Sequence, residues 1–216
     1  MISCQYVKRN EDVPDFEYVI PDTVNNEINK EFFLKLKNIT YELNLRSIEK
    51  GVDSLEIRLW TLSRTTSGGE IFIIRKSTFN WNCYHYWFIE NRSEIEDHIN
   101  QSYNNSDISD VCIDTFWVNK EEPSIKWSLL ISKLYRDDFL QNTGQNNNTQ
   151  TGSVATEDNT FVIECSTKSM YKLLWYNCSD VANNPKECSR MTNFLKIFDS
   201  AFHFNNSVLG NYDCNF

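Results

Sequence analysis

Between Ser54 and Asn91 the chain reads SLEIRLWTLSR, a turn at TTSGG, EIFIIRKST, a second turn near FNWN, and CYHYWFIEN. No other stretch constrains the fold as much. In the first run Leu55, Ile57, Leu59 and Thr61 fall on one side while Glu56, Arg58, Trp60 and Leu62 fall on the other, because successive side chains of a strand point to opposite faces. Ser67-Gly68-Gly69 supplies the positive φ angles that a hairpin needs. The runs are about eight residues long, rich in β-branched and aromatic types and bounded by turn residues, so strands describe them better than a helix. The spacing predicts three strands of one antiparallel sheet.

At 216 residues the chain can bury a full core as one domain. An aromatic content of 14%, with six tryptophans, argues against disorder. The formal charge of −9 argues against phosphate-directed nucleic-acid binding, which needs clustered Lys and Arg. An acidic surface serves solubility or a basic protein partner. The seven cysteines form no CxxC pair and no Cys/His grouping at zinc-site spacing, so neither a structural metal nor a cofactor is expected. In an oxidising compartment Cys178 and Cys188, which flank one loop, are the pair to bridge first; in a reducing one they serve as small buried hydrophobes. No run of about 18 apolar residues is present, so no transmembrane helix is expected. Met1-Ile2-Ser3-Cys4 lacks the regions of a signal peptide, yet Ile-Ser-Cys is what a trimmed bacterial lipoprotein signal leaves at its lipidated cysteine. Two localisations stay open: cytoplasmic, or periplasmic and outer-membrane-anchored through a lipidated Cys4.

Along the chain, residues 1–22 read as an extended arm that docks through Phe16, Tyr18 and Ile20, and residues 23–205 as a single domain. Thr23 to Lys30 suits a short helix with Thr23 as its cap. Ile39, Tyr41, Leu43 and Leu45 alternate with Thr40, Glu42, Asn44 and Arg46, which predicts a half-buried antiparallel strand. Residues 94–103 read as a short helix or loop, and Val111 to Asn119 as a further strand. After Pro123, Trp127, Leu130, Ile131 and Leu134 recur at the spacing of one helical face. The Asn-, Gln- and Thr-rich residues 141–159 read as a mobile polar loop. TFVIECST and MYKLLWYNC predict a hairpin about Lys168-Ser169. Asn184-Pro185-Lys186-Glu187 is a capping box that opens a helix with a buried stripe of Met191, Phe194, Leu195, Phe198 and Phe202. Residues 206–216 form a tail.

The sequence offers little for catalysis. His85 stands two residues from Cys83, which puts both on one strand face, half of a metal site or a Cys-His pair if not simply a packed strand residue. His98 and His203 have no motif around them. The adjacent carboxylates Glu121-Glu122, Asp137-Asp138 and Glu157-Asp158 point apart and read as solvated surface. No phosphate-binding, dinucleotide-binding, nucleophile-elbow or zinc-protease motif occurs. The aromatic surplus is the better lead. With one sheet face uncovered, Trp60 and Trp87, flanked by Arg58 and Arg75, form a partner-binding patch; with both faces covered, these rings are core.

Ile57-Arg58-Leu59-Trp60, the helix spacing Trp127, Leu130, Leu134, the run Phe161, Ile163, Glu164, Tyr171, Trp175, Tyr176 and the Phe/Leu-rich terminal helix together resemble small uncharacterised proteins of Bacteroidota, many of them lipoprotein-like. The resemblance covers roughly residues 54–202 and departs where the usual Pro after the tyrosine strand gives way to Cys178-Ser179-Asp180. It implies an order of elements and a compartment, and no catalytic residue.

The expected fold is α+β: an antiparallel β-sheet of about six or seven strands with two longer α-helices packed on it. The expected function is that of a non-catalytic protein-binding protein, of the immunity or inhibitor type, which occludes a basic toxin or nuclease. The alternatives are a bacterial envelope lipoprotein with a structural role and an enzyme with a site around His85.

Overall fold

A computed structural model describes residues 16–63, 68–91, 112–136, 160–177 and 185–203. Their elements are β1 (Glu17–Val19), α1 (Glu27–Glu42), β2 (Leu55–Ser63), β3 (Gly68–Lys76), β4 (Trp81–Glu90), β5 (Ile113–Glu121), α2 (Trp127–Arg136), β6 (Thr160–Thr167), β7 (Met170–Asn177) and α3 (Pro185–Phe202).

The hairpins read from alternation are present. β2 pairs antiparallel with β3, β3 with β4, β4 with β5, and β6 with β7 around Lys168-Ser169. β6 then adds to the free side of β2, giving one sheet in the order β1-β7-β6-β2-β3-β4-β5. The sheet is mixed rather than antiparallel, because β1 pairs in parallel with β7. From β1 the chain crosses one face of the sheet through α1 before entering β2, and a helical crossover of this kind returns the chain in its original direction. The end of the expected arm is thus an edge strand, and Tyr18 stacks on Tyr171 with ring centroids 5.3 Å apart. Residues 1–15, the loop 141–159 and the tail 206–216 lie outside the described residues, as do residues 94–103.

The strand expected at residues 39–46 is instead the end of α1, its C-cap Leu43 and the start of the connection to β2. Its alternation is accidental: Tyr41 is 80% exposed, whereas Leu36, Ile39 and Leu43, spaced three and four apart, form the buried stripe of a helix. The cap is Asn26 and not Thr23, since the Asn26 side chain accepts from the Asn29 backbone N–H. At the other end Asn44 takes φ 51°; its N–H donates to Tyr41 O and that of Leu45 to Thr40 O, the paired bonds of a Schellman motif.

Helices therefore cover both faces: the two longer ones expected on one side, and on the other α1, where only a short helix over residues 23–30 is expected. On one side α2 and α3 bring Leu130, Leu134, Phe194 and Phe198 against Ile57, Leu59, Phe72 and Ile163. On the other, α1 and the connection to β2 bring Leu36, Ile39, Leu43 and Ile48 against Trp60, Ile73, Val162 and Leu173. Burying about 25 cal/mol per Å² of apolar surface, these two cores supply the main drive to fold.

A buried charge cluster and cavity as the candidate functional site

Beneath α1 the sheet presents a polar cluster inside an apolar layer. Glu56, Arg58 and Trp60 alternate along β2, so all three face α1. Register sets Glu164 of β6 opposite Arg58, and Arg75 of β3 opposite Glu56. Arg46 arrives from the connection after α1. Three guanidinium groups converge on Glu56: Arg46 Nε and Arg75 Nε each donate to Oε2 at 2.8 Å, and Arg58 Nε donates to Oε1 at 2.9 Å. Burial works to raise the Glu56 carboxyl, but Arg58, Arg75 and Arg46 outweigh it and hold it below the usual carboxylate range.

Glu164 sits in the opposite circumstance. Trp60 Nε1 donates to its Oε2 and Tyr171 Oη to its Oε1, both at 2.8 Å, while its closest cation, Arg58 Nη1, stands 3.7 Å away. Burial dominates and raises the Glu164 carboxyl; it also pushes the Tyr171 hydroxyl well above its ordinary value, helped by the nearby Glu164. One fold thus holds two carboxyls under one helix and drives their protonation in opposite directions.

A cavity of about 360 Å³ opens between α1 and this cluster. Arg58, Glu164 and Tyr171 line its inner side, Phe33, Leu36, Leu45 and Ile48 its apolar walls, and Lys37 and Glu49 pair at 3.1 Å beside it.

On the face under α2 and α3, His85 lies between the rings of Phe72 and Trp87, each centroid 3.6 Å away, with Nε2 2.9 Å from a Glu70 carboxylate oxygen. Burial lowers the His85 pKa more than Glu70 raises it. Cys83 shares the face, as the spacing required, but it is buried and its thiol is pushed far up. Cys165 is likewise pushed up to about 12. Neither buried thiol supplies thiolate near neutral pH.

The four residues expected to form a patch are not gathered on an exposed surface. Trp60 is 0% and Arg58 1% exposed, because α1 covers the face that an open sheet would have shown. Arg75 is partly exposed and engaged with Glu56, while Trp87 is partly buried on the opposite face against His85. Among the described residues, a run of exposed apolar side chains lies instead at the sheet's far edge, where Phe116, Trp117 and Val118 of β5 are exposed beside Ile89. Cys4, Cys178, the side chain of Cys188 and His98 lie outside the described residues. Among the described residues no three His, Cys, Asp or Glu side chains group to hold a metal ion, and no helix is long and apolar enough to cross a membrane.

Sequence reasoning passed over Glu56, Glu70 and Glu164. The signal was there: a single acidic residue inside an otherwise apolar strand, as in Phe161-Val162-Ile163-Glu164, marks a buried charge that needs a partner. Arg58, Trp60, Glu164 and Tyr171, quoted above for the resemblance, are the residues that meet here. Comparison of the chain with protein-family models, characterised proteins and solved structures found no match.

Proposed function

We propose that this chain is a non-catalytic protein-binding protein that receives an extended segment of a basic partner along the outer edge of β5. The observation that carries this reading is that Phe116, Trp117 and Val118, three consecutive apolar residues projecting to both faces of the outermost strand, are exposed, Trp117 by 53%. An edge strand offers unpaired backbone groups for strand addition, and large exposed rings anchor a partner. The formal charge of −9 favours a basic partner through steered association, in keeping with an inhibitor that occludes a basic surface. A site around His85 is less favoured, since its imidazole is enclosed by two rings and the adjacent thiol is held protonated.

Affinity capture from the source cell at low salt, with wild type and Trp117→Lys in parallel, tests it. The expected result is a basic protein, identified by mass spectrometry, retained by wild type and released both by the variant and by added salt. Retention of the same proteins by both chains would count against the reading. So would a wild-type chain that sediments as a dimer where the variant is a monomer, which would reassign β5 to self-pairing.

A further inference from the structure

We propose that the cavity between α1 and the sheet binds a small organic carboxylate with an apolar body. Its residues are distinct from the β5 edge, and the inference stands whether or not that edge binds a partner.

The charge of the inner side points to an anion. Three guanidinium groups, those of Arg46, Arg58 and Arg75, gather on the single carboxylate Glu56. Of these, Arg58 lines the cavity. Its Nε and Nη2 are committed to Glu56 and to the Arg46 carbonyl, while Nη1 pairs with Glu164 Oε2 only at 3.7 Å, longer than a hydrogen bond. A guanidinium that is 1% exposed, permanently charged and loosely paired through Nη1 matches a carboxylate oxygen at the cavity it lines. Glu164 is the acidic group beside it. Burial raises that carboxyl, so the negative charge that would oppose an incoming anion is the one this cluster least supports. At the rim Glu49 is matched by Lys37 at 3.1 Å.

The walls decide the rest of the ligand. Phe33, Leu36, Leu45 and Ile48 give the cavity an apolar side among its polar lining residues, and well-placed polar groups beside an apolar surface fix a ligand's orientation. A volume of about 360 Å³ suits one ring or a short chain and excludes a nucleotide-sized molecule. Inorganic anions would leave the walls unfilled.

The probe is phenylacetate, compared with the uncharged phenylacetamide, added to the full ¹⁵N-labelled chain. The Trp60 indole N–H, which donates to Glu164 at 2.8 Å, is the reporter. The expected result is a saturating shift of that signal with phenylacetate, and affinity about tenfold weaker for the amide. Leu45→Trp, which fills the space without altering charge, should abolish the shift. Lys37→Gln, at the rim and away from the core, should weaken it modestly and keeps the test open should Leu45→Trp fail to fold. Equal affinity for acid and amide, no saturation at millimolar phenylacetate, or shifts that survive in a folded Leu45→Trp would each overturn the proposal.

Discussion

Trp60 and Glu164, 104 positions apart in sequence, are joined across the adjacent strands β2 and β6 by an indole N–H that donates to a carboxyl oxygen at 2.8 Å. A large ring with one polar atom is buried readily only where that atom finds a partner, and a buried carboxyl needs donors. Each satisfies the other, which is how a tryptophan flanked by charged residues comes to lie in the core.

Tyr171→Phe isolates the second donor to Glu164. The substitution keeps the ring and removes the hydroxyl that donates to Oε1 at 2.8 Å, leaving that oxygen short of a partner in a buried site. We expect a loss of about 1–3 kcal/mol in urea unfolding with an unchanged m-value. A change of only a few tenths would mean that Oε1 finds another donor.

Glu56→Gln removes the counter-charge of a buried arginine while preserving shape. Arg58, 1% exposed, then loses its close counter-charge and keeps only Glu164 at 3.7 Å, and a loss of about 3–5 kcal/mol is expected. Adding Arg58→Met should restore part of it, and the coupling in that double-mutant cycle is the decisive measurement. The pH dependence has a definite sign. The Glu56 carboxyl lies below its ordinary value of 4.5 in the fold, so its stabilisation is present above pH 4.5 and is lost as pH falls from there toward the folded value. Glu56→Gln should flatten that limb of the acid-unfolding curve.

The central hairpins were legible because β2, β3 and β4 combine β-branched and aromatic runs with turn residues, and α2 and α3 because Leu130–Leu134 and Phe194–Phe198 repeat at helical spacing. The helix α1 was hidden: its stripe of Leu36, Ile39 and Leu43 coincides with a run that also alternates, and its N-cap Asn26 and the residue after its C-cap, Asn44, are asparagines, which serve turns equally well. That error propagated. Without a helix on the second face the patch and core readings of Trp60 and Arg58 both stay open, although the acidic residue in each of β2 and β6 already implies burial with partners. Parallel pairing of β1 was beyond reach, since three residues carry no period. The cavity depends on how α1 stands over the sheet, and no local pattern encodes that distance.

Gly51→Ala tests the joint between α1 and β2. Gly51 takes φ +93°, where a side chain is strained, and a Cβ there would lie 2.9 Å from Thr167 O and 3.0 Å from the Phe16 ring. The same joint holds Val52 N–H to Thr167 O at 3.1 Å. The expected cost is about 1–3 kcal/mol, read as a lower urea midpoint; a neutral outcome would mean that the turn relaxes without loss.

His85 gives the remaining prediction, and its sign follows from the fold. Its imidazole is 4% exposed between Phe72 and Trp87, and burial holds its pKa below the ordinary value of 6.5 despite the Glu70 carboxylate at 2.9 Å. The unfolded chain therefore binds a proton first as pH falls. Stability is fully present above pH 6.5 and declines below it until the folded-state value is reached. Urea unfolding across that interval should show the decline in wild type and a flatter profile in His85→Gln, which cannot take up the proton. Stability that instead rose on acidification would mean that an imidazolium–Glu70 ion pair prevails over desolvation, and that the rings around His85 enclose a charge.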